Sequence, residues 1–119
     1  MKPVAQTHLE ASQQSRVGKF LERNSEFCGW TAFAIGQEDD AVPVLVAMVA
    51  DGISNDALGE EASQLAVQVV RRHFSRADST NIPRLLVESL TQANHILYQR
   101  NLAYVDTGVR LGATLTVAA

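Results

Sequence analysis

The sequence contains very little cysteine and no long hydrophobic run. Cys28 is the only cysteine among 119 residues, so an internal disulfide is impossible and a reducing, cytoplasmic compartment is the expected location. No apolar stretch approaches the ~20 residues that span a bilayer. The N-terminus lacks the charged start and apolar stretch of a secretory signal peptide. We expect no membrane partner, and we expect Cys28 to pack as a small buried hydrophobe.

An excess of basic residues is also missing. Ten Lys and Arg against 13 Asp and Glu give a net charge of -3, whereas binding to a nucleic-acid backbone requires a basic face. The basic cluster at residues 71–73 belongs to a predicted helix surface, so no nucleic-acid partner is expected. The histidines match no metal-binding spacing and are expected to be packing or surface residues: His8, His73 and His95.

Three segments have the patterns of β-strands. Residues 28–35 alternate and are rich in aromatic and β-branched side chains. Residues 42–50 are apolar throughout, which predicts a central strand buried on both faces. Residues 36–41 between them favour a turn and an antiparallel hairpin, and residues 111–118 predict a third strand. The acids of the turn are expected to be solvated rather than to bind a cation: Glu38, Asp39 and Asp40.

Two segments have the 3.6-residue periodicity of amphipathic helices. The first covers residues 57–76, and Asp56 is its expected N-cap, with a carboxylate that accepts from the first free amides. The second opens at Asn81 and Pro83 and frays near residues 101–107. The side chains expected on its buried face are Ile82, Leu86, Leu90, Ala93 and Leu97.

The order strand, strand, helix, helix, strand predicts an α+β fold. Three strands form a thin sheet, and two long helices need more apolar surface than that sheet offers. The chain is therefore expected to be part of a larger domain, or to pair its open sheet edge with a second copy. Residues 1–15 are polar and aperiodic, and are expected to be a flexible lead-in to a folded region at residues 16–119.

Four stretches resemble, in order, the motifs of the type-2C (PPM family), metal-dependent protein phosphatases. Residues 49–63 contain Val-Ala-Asp-Gly and then Gly-Glu-Glu-Ala-Ser, similar to the family's most specific signature. Residues 17–26 resemble its opening block, residues 90–96 its second-helix motif, and residues 111–115 the start of its next strand. Over residues 16–119 the resemblance implies the N-terminal portion of a β-sandwich flanked by an antiparallel helix pair, incomplete at the C-terminus.

The resemblance also implies a site that holds two divalent cations, Mn²⁺ or Mg²⁺, and hydrolyses phosphoserine or phosphothreonine in a partner protein. Hard cations prefer carboxylate and carbonyl oxygens, and two of them can activate a shared water. By this resemblance Asp51 bridges the cations, Gly52 contributes its carbonyl and Glu26 assists. Gly52 is expected because the backbone must turn sharply and approach an ion closely.

Several positions depart from the family pattern. Leu21 stands where the family has a phosphate-binding arginine, and neither Lys19 nor Arg23 holds that position, so no phosphate-binding residue is assigned. Ser25 replaces a glutamate, and Glu26 is one methylene longer than the family's aspartate. The family's later metal-binding aspartates have no counterpart in these 119 residues.

The position of a proposed general acid is also altered, because many members have a histidine where this chain has Asp56. An ionised aspartate is a poor acid, so no catalytic residue is assigned. Two functions remain open. One is a serine/threonine phosphatase of which this chain carries part of the site, with weak or no activity alone. The other is a non-catalytic, phosphatase-like binding or regulatory module that dimerises through its open sheet edge.

Overall fold

A computed structural model describes residues 1–4, 10–36, 41–54 and 56–119, which form an α+β fold. The antiparallel sheet has the strand order β1-β2-β3-β4, and two helices pack on one of its faces. The strand and helix order confirms the predicted sequence of the three long strands and two helices. The bounds are β1 Lys2–Pro3, β2 Glu26–Ile35, β3 Val42–Gly52, α1 Ala57–Arg76, α2 Ile82–Asn101, a 3₁₀ helix Leu102–Thr107, and β4 Ala113–Ala118.

Strand β3 is internal to the sheet, but only one of its faces is buried. It pairs with β2 on one side and with β4 on the other. Val46 and Met48 are buried under the helices, whereas Val49 on the opposite face is 57% exposed. The prediction of burial on both faces is wrong, because α1 and α2 lie on the same side of the sheet. These described residues alone do not form a two-sheet sandwich.

The hydrophobic core lies between the sheet and the helix pair. Phe33 of β2 and Phe74 of α1 are both fully buried, and their rings stack with centroids 6.1 Å apart. Such aromatic pairs contribute about 0.5–1.5 kcal/mol beyond the area they bury. The other members of the buried cluster are Val46, Met48, Ala50, Ala66, Val67, Val70 and Leu85.

The two helices pack against each other, and one side of α2 is buried. Its buried residues are Leu85, Ser89 and Ala93, spaced by four, whereas Leu90 is 40% exposed. The prediction that Leu90 belongs to the buried face is therefore wrong. Ser89 is buried instead, and its hydroxyl donates to the Leu86 carbonyl at 2.9 Å, so that it needs no other partner. The remaining predicted members of that face, Ile82, Leu86 and Leu97, are half-buried.

Within the predicted lead-in, Lys2 and Pro3 form a short edge strand of the sheet. Lys2 pairs with Ala34 and Pro3 with Phe33, and the Val4 amide donates to a β2 carbonyl. Proline is tolerated here because β1 is an edge strand. Within the predicted lead-in, residues 5–9 lie outside the described residues, as do the turn acids at positions 38–40. Among the residues that are described, neither helix has the length and apolar character needed to cross a membrane.

Candidate metal-binding site

Glu26 and Asp51 lie directly opposite each other on neighbouring strands. They are partners in the β2–β3 register, and the adjacent Gly52 amide donates to the Ser25 carbonyl at 2.9 Å. In an antiparallel ladder, hydrogen-bonded pairs alternate with non-hydrogen-bonded pairs. Because Ser25 and Gly52 are a hydrogen-bonded pair, Glu26 and Asp51 are a non-hydrogen-bonded pair, with Cα atoms about 4.5 Å apart and side chains on one face. The two carboxylates are 25 positions apart in the sequence, and β-pairing makes them neighbours.

The carboxylate pair is exposed and has unfavourable electrostatics on its own. Glu26 and Asp51 are both exposed to solvent, and like charges placed directly opposite each other destabilise a sheet. A cation between them would remove that repulsion. In the described ranges, however, no group of three or more His, Cys, Asp or Glu side chains is arranged to hold a metal ion. Two carboxylates offer at most four oxygens, fewer than the six to eight of a complete hard-cation site.

Gly52 is required by packing and not by a turn. It is the last residue of β3, it is buried, and its φ is not positive. A Cβ atom at this position would lie 2.2 Å from the carbonyl oxygen of Gly59 in the first turn of α1. The expectation of a sharp turn at Gly52 is therefore wrong. The glycine lets the end of β3 touch the helix, which fixes the backbone next to Asp51.

Asp56 caps α1, as predicted. Its Oδ1 atom accepts from the amides of Leu58 at 2.9 Å and Gly59 at 3.2 Å, and also from the Ser54 hydroxyl. The Ser54 hydroxyl, and next the Gly59 amide, hold the pKa of the Asp56 carboxyl below its ordinary value. A carboxyl whose pKa is lowered stays ionised at neutral pH, which makes Asp56 a poor proton donor.

The lowered pKa of Asp56 predicts an acid-dependent loss of stability. Because the folded-state pKa lies below the unfolded value of about 3.9, the ionised cap stabilises the fold above that value. The contribution disappears as pH falls through the lower, folded-state pKa. Asp56→Asn keeps a capping oxygen but does not titrate. Urea unfolding between about pH 6 and pH 2 should show a steeper loss in wild type than in Asp56→Asn; parallel curves would contradict the assignment.

Leu21 and its charged neighbours Lys19 and Arg23 do not form an anion site. Leu21 is 42% exposed, and its amide closes a turn on the Gly18 carbonyl at 3.1 Å. The Arg23 guanidinium donates to a Glu60 carboxylate oxygen at 3.1 Å, and the Lys19 ammonium lies 5.7 Å from the ring centre of Phe20. Arg23 and Lys19 are thus engaged by other groups, and the phosphate-binding residue stays unassigned.

The opposite side of the sheet from the helices carries a groove that sequence reasoning missed. Its volume is about 250 Å³, and a second cavity of about 300 Å³ continues it to Glu26. Cys28 lines both cavities and is half-buried, so the prediction of a buried cysteine is wrong because this face is open. The signal was present in residues 42–50, where apolar side chains occur at outward as well as inward positions.

The two histidines that the structure describes, His73 and His95, lie on different helices. His73 Nδ1 lies 3.0 Å from Gln92 Oε1, and its Nε2 lies 3.5 Å from a Glu88 oxygen. His73 therefore joins α1 to α2 as a half-buried packing residue, and His95 is exposed, as expected. His8 is outside the described residues.

Comparison with known proteins finds no relative of this chain. No protein-family model, curated protein or solved structure matches the chain. The resemblance to the type-2C phosphatases therefore rests on the sequence motifs alone.

Proposed function

We propose that this chain is the N-terminal portion of a divalent-cation-dependent serine/threonine phosphatase of the type-2C kind. The observation that carries the proposal is the register of β2 and β3, which makes Glu26 and Asp51 opposite neighbours on one face. A pair of exposed carboxylates in that position is unfavourable unless it binds a cation. The two residues were assigned as metal ligands from separate motifs, and their adjacency supports both assignments.

By the resemblance, three residues of this chain would hold the cations. Asp51 is the penultimate residue of a strand that pairs with neighbours on both sides, so the backbone that carries its carboxylate is fixed. Asp51 would hold both ions, Gly52 would contribute its carbonyl, and Glu26 would contribute a second carboxylate from β2. Bound Mn²⁺ or Mg²⁺ supplies a water of lowered pKa and neutralises charge on the phosphoryl group. The substrate class is a phosphoserine or phosphothreonine side chain of a partner protein.

Activity of this chain alone is expected to be weak or absent. Its carboxylate pair supplies too few oxygens for a tight two-cation site. Catalysis of phosphoryl transfer depends mainly on positioning and on positive charge around the phosphoryl oxygens. Leu21 brings no such charge, and the nearby Arg23 is paired with Glu60.

A non-catalytic binding or regulatory module is the second candidate. The cap formed by Asp56 favours it, because that side chain already accepts three hydrogen bonds and is held ionised. In this alternative the carboxylate pair binds a cation without turnover, and phosphate release is not detected under any metal condition.

Calorimetric Mn²⁺ titration and p-nitrophenyl phosphate hydrolysis test the proposal on the same protein samples. We expect Asp51→Asn and Glu26→Gln each to weaken Mn²⁺ binding at least tenfold, because each removes a ligand charge. Any Mn²⁺-dependent turnover of the wild-type chain should be lost with Asp51→Asn.

Asp78→Asn is the matched control for these two variants. Asp78 is exposed and follows Ala77, whose carbonyl accepts from the amino group of Met1. That region lies beside β1, which pairs with the far end of β2 from Glu26. Removal of this carboxylate should leave Mn²⁺ binding unchanged. Equal affinities of wild type and Asp51→Asn would disprove the metal site.

A further inference from the structure

The arginine cleft, lined by Arg72 and Arg76 of α1 and by Arg84 of α2, lies where the end of α1 meets the start of α2. Its volume is about 430 Å³, within the range of about 300–1,000 Å³ that is typical of small-molecule sites. The cleft collects three of the ten Lys and Arg residues of a chain whose net charge is -3. Positive charge is therefore concentrated on one concave surface of an acidic protein.

Two of these guanidinium groups are not neutralised by the protein. Arg84 is paired with Glu88, but none of the ion pairs among the described residues includes Arg72 or Arg76. Arg72 and Arg76 are four positions apart, so they are neighbours on one face of α1. Like charges at this spacing destabilise a helix, and an anion bound by both would remove the repulsion.

The wall of the cleft also contains an unsatisfied polar atom. His73 lines the cleft, and its Nε2 atom is buried without a hydrogen-bond partner among the described residues. A Glu88 carboxylate oxygen lies 3.5 Å from it, longer than a good hydrogen bond. Buried polar atoms in proteins are nearly always paired, and an exception calls for a partner from outside the chain, such as an ion, a water or a ligand. This observation is independent of the arginines and indicates a ligand at the same place.

The acidic groups of the cleft narrow the kind of anion. Asp78 is a lining residue, and Glu88 accepts from the Arg84 guanidinium at 2.6 Å. Carboxylates repel further negative charge but accept hydrogen bonds from hydroxyl groups. An extended polyanion would meet repulsion as well as attraction here. A compact phosphate ester can instead place its charge beside the arginines and its hydroxyl groups beside the carboxylates.

We propose that the arginine cleft binds a small phosphate monoester that carries hydroxyl groups, with the chemistry of a sugar phosphate. Arg72 and Arg76 bind the phosphoryl oxygens, because a guanidinium group pairs with phosphate through two parallel hydrogen bonds. Arg84 adds to the positive potential. Asp78 accepts from a ligand hydroxyl, and a second hydroxyl suits His73 Nε2 because a hydroxyl can both donate and accept.

The arginine cleft is separate from the Glu26–Asp51 pair. Gly59, in the first turn of α1, packs against Gly52 beside Asp51, whereas Arg72 is near the other end of the helix. At 1.5 Å per residue the distance from Gly59 to Arg72 along α1 is about 20 Å. The two sites therefore share no residue, and the inference does not depend on the proposed function.

Calorimetric titration of the full 119-residue chain with ribose 5-phosphate, in EDTA, tests the proposal. The chelator removes divalent cations, so phosphate does not bind through a metal at the carboxylate pair. We expect one saturable site. Arg72→Gln and Arg76→Gln should each weaken binding at least tenfold, because each removes a charged, bidentate donor. Inorganic phosphate should bind more weakly than the ester, and ribose without phosphate should not bind.

Arg71→Gln is the matched control, because it removes the same charge from the next position of α1. Arg71 does not line the cleft; its Nη2 atom would lie 2.8 Å from a Cβ on Gly29, so its side chain reaches over β2. This variant should bind ribose 5-phosphate like wild type. All three arginines are exposed, so the variants should fold, which circular dichroism checks.

Three results would overturn the site: no binding of ribose 5-phosphate by wild type, unchanged affinity in both cleft variants, or an equal loss of affinity in Arg71→Gln. The last result would mean that only the net charge of the chain matters. Inorganic phosphate that binds as tightly as the ester would overturn the recognition of hydroxyl groups by the cleft.

Discussion

Gly59→Ala is expected to destabilise the protein by about 2 kcal/mol or more, although alanine favours helices. Gly59 is in the first turn of α1, and helix propensity alone would make alanine better by about 1 kcal/mol. A Cβ at this position, however, would lie 1.6 Å from the Ser54 carbonyl oxygen and 2.7 Å from its carbon. Those atoms are backbone, so the clash is relieved only by moving the loop between β3 and α1.

The displaced loop is also the one that fixes Asp51. Gly52 and Gly59 pack backbone to backbone, so separating them shifts the end of β3. We therefore expect Gly59→Ala to weaken Mn²⁺ binding together with stability, whereas a change distant from this contact affects stability alone. Urea unfolding measures the first effect and calorimetric titration the second.

Gly18→Ala is the control for this glycine. A Cβ at Gly18 would meet only a Leu21 side-chain carbon at 3.3 Å, and a flexible, partly exposed side chain can adjust. The free energy of unfolding of Gly18→Ala should be within about 0.5 kcal/mol of that of wild type, as for ordinary surface changes. If Gly59→Ala proves as stable as wild type, the close packing of β3 on α1 is wrong.

Phe74→Ala is expected to lower the free energy of unfolding by about 3–5 kcal/mol. Phe74 is fully buried and stacks on Phe33, so truncation removes a large apolar side chain and leaves a cavity between α1 and the sheet. A domain of this size has only about 5–15 kcal/mol of stability in total. The variant should therefore be partly unfolded at room temperature or show a much lower urea midpoint.

Phe20→Ala is the matched control for Phe74→Ala. Phe20 is 92% exposed, and its one described aromatic contact is with the Lys19 ammonium, 5.7 Å from its ring centre. An exposed cation–π contact contributes at most about 1 kcal/mol, so the loss should be small. Equal losses from the two phenylalanine changes would contradict the position of the core.

The exposure of the Glu26–Asp51 carboxylate pair limits how tightly it could bind a cation. The carboxylate pair is on the sheet face that the helices do not cover, so a cation bound there would be exposed to solvent and only partly coordinated.

Local patterns in the sequence determined the order and type of the long elements, although each long strand has one end two residues away from its predicted position. Helix periodicity predicted α1 at residues 57–76, and Asp56 and Asn81 were recognisable caps. Alternation predicted β2 and β4, and an apolar run predicted β3. These features depend on neighbours within a few residues, which the sequence displays directly. The sequence motifs also indicate Asp51, Gly52 and Glu26 as candidate ligands.

Only the tertiary structure decided which sides of these elements are buried. Residues 42–50 are apolar on both faces, but the helices cover one face and leave Val49 exposed. On α2, Ser89 is buried whereas Leu90 is 40% exposed. The role of Gly52 is set by Gly59 in another element, and Glu26 meets Asp51 through strand register. Each depends on contacts between distant segments, which propensity and periodicity do not encode.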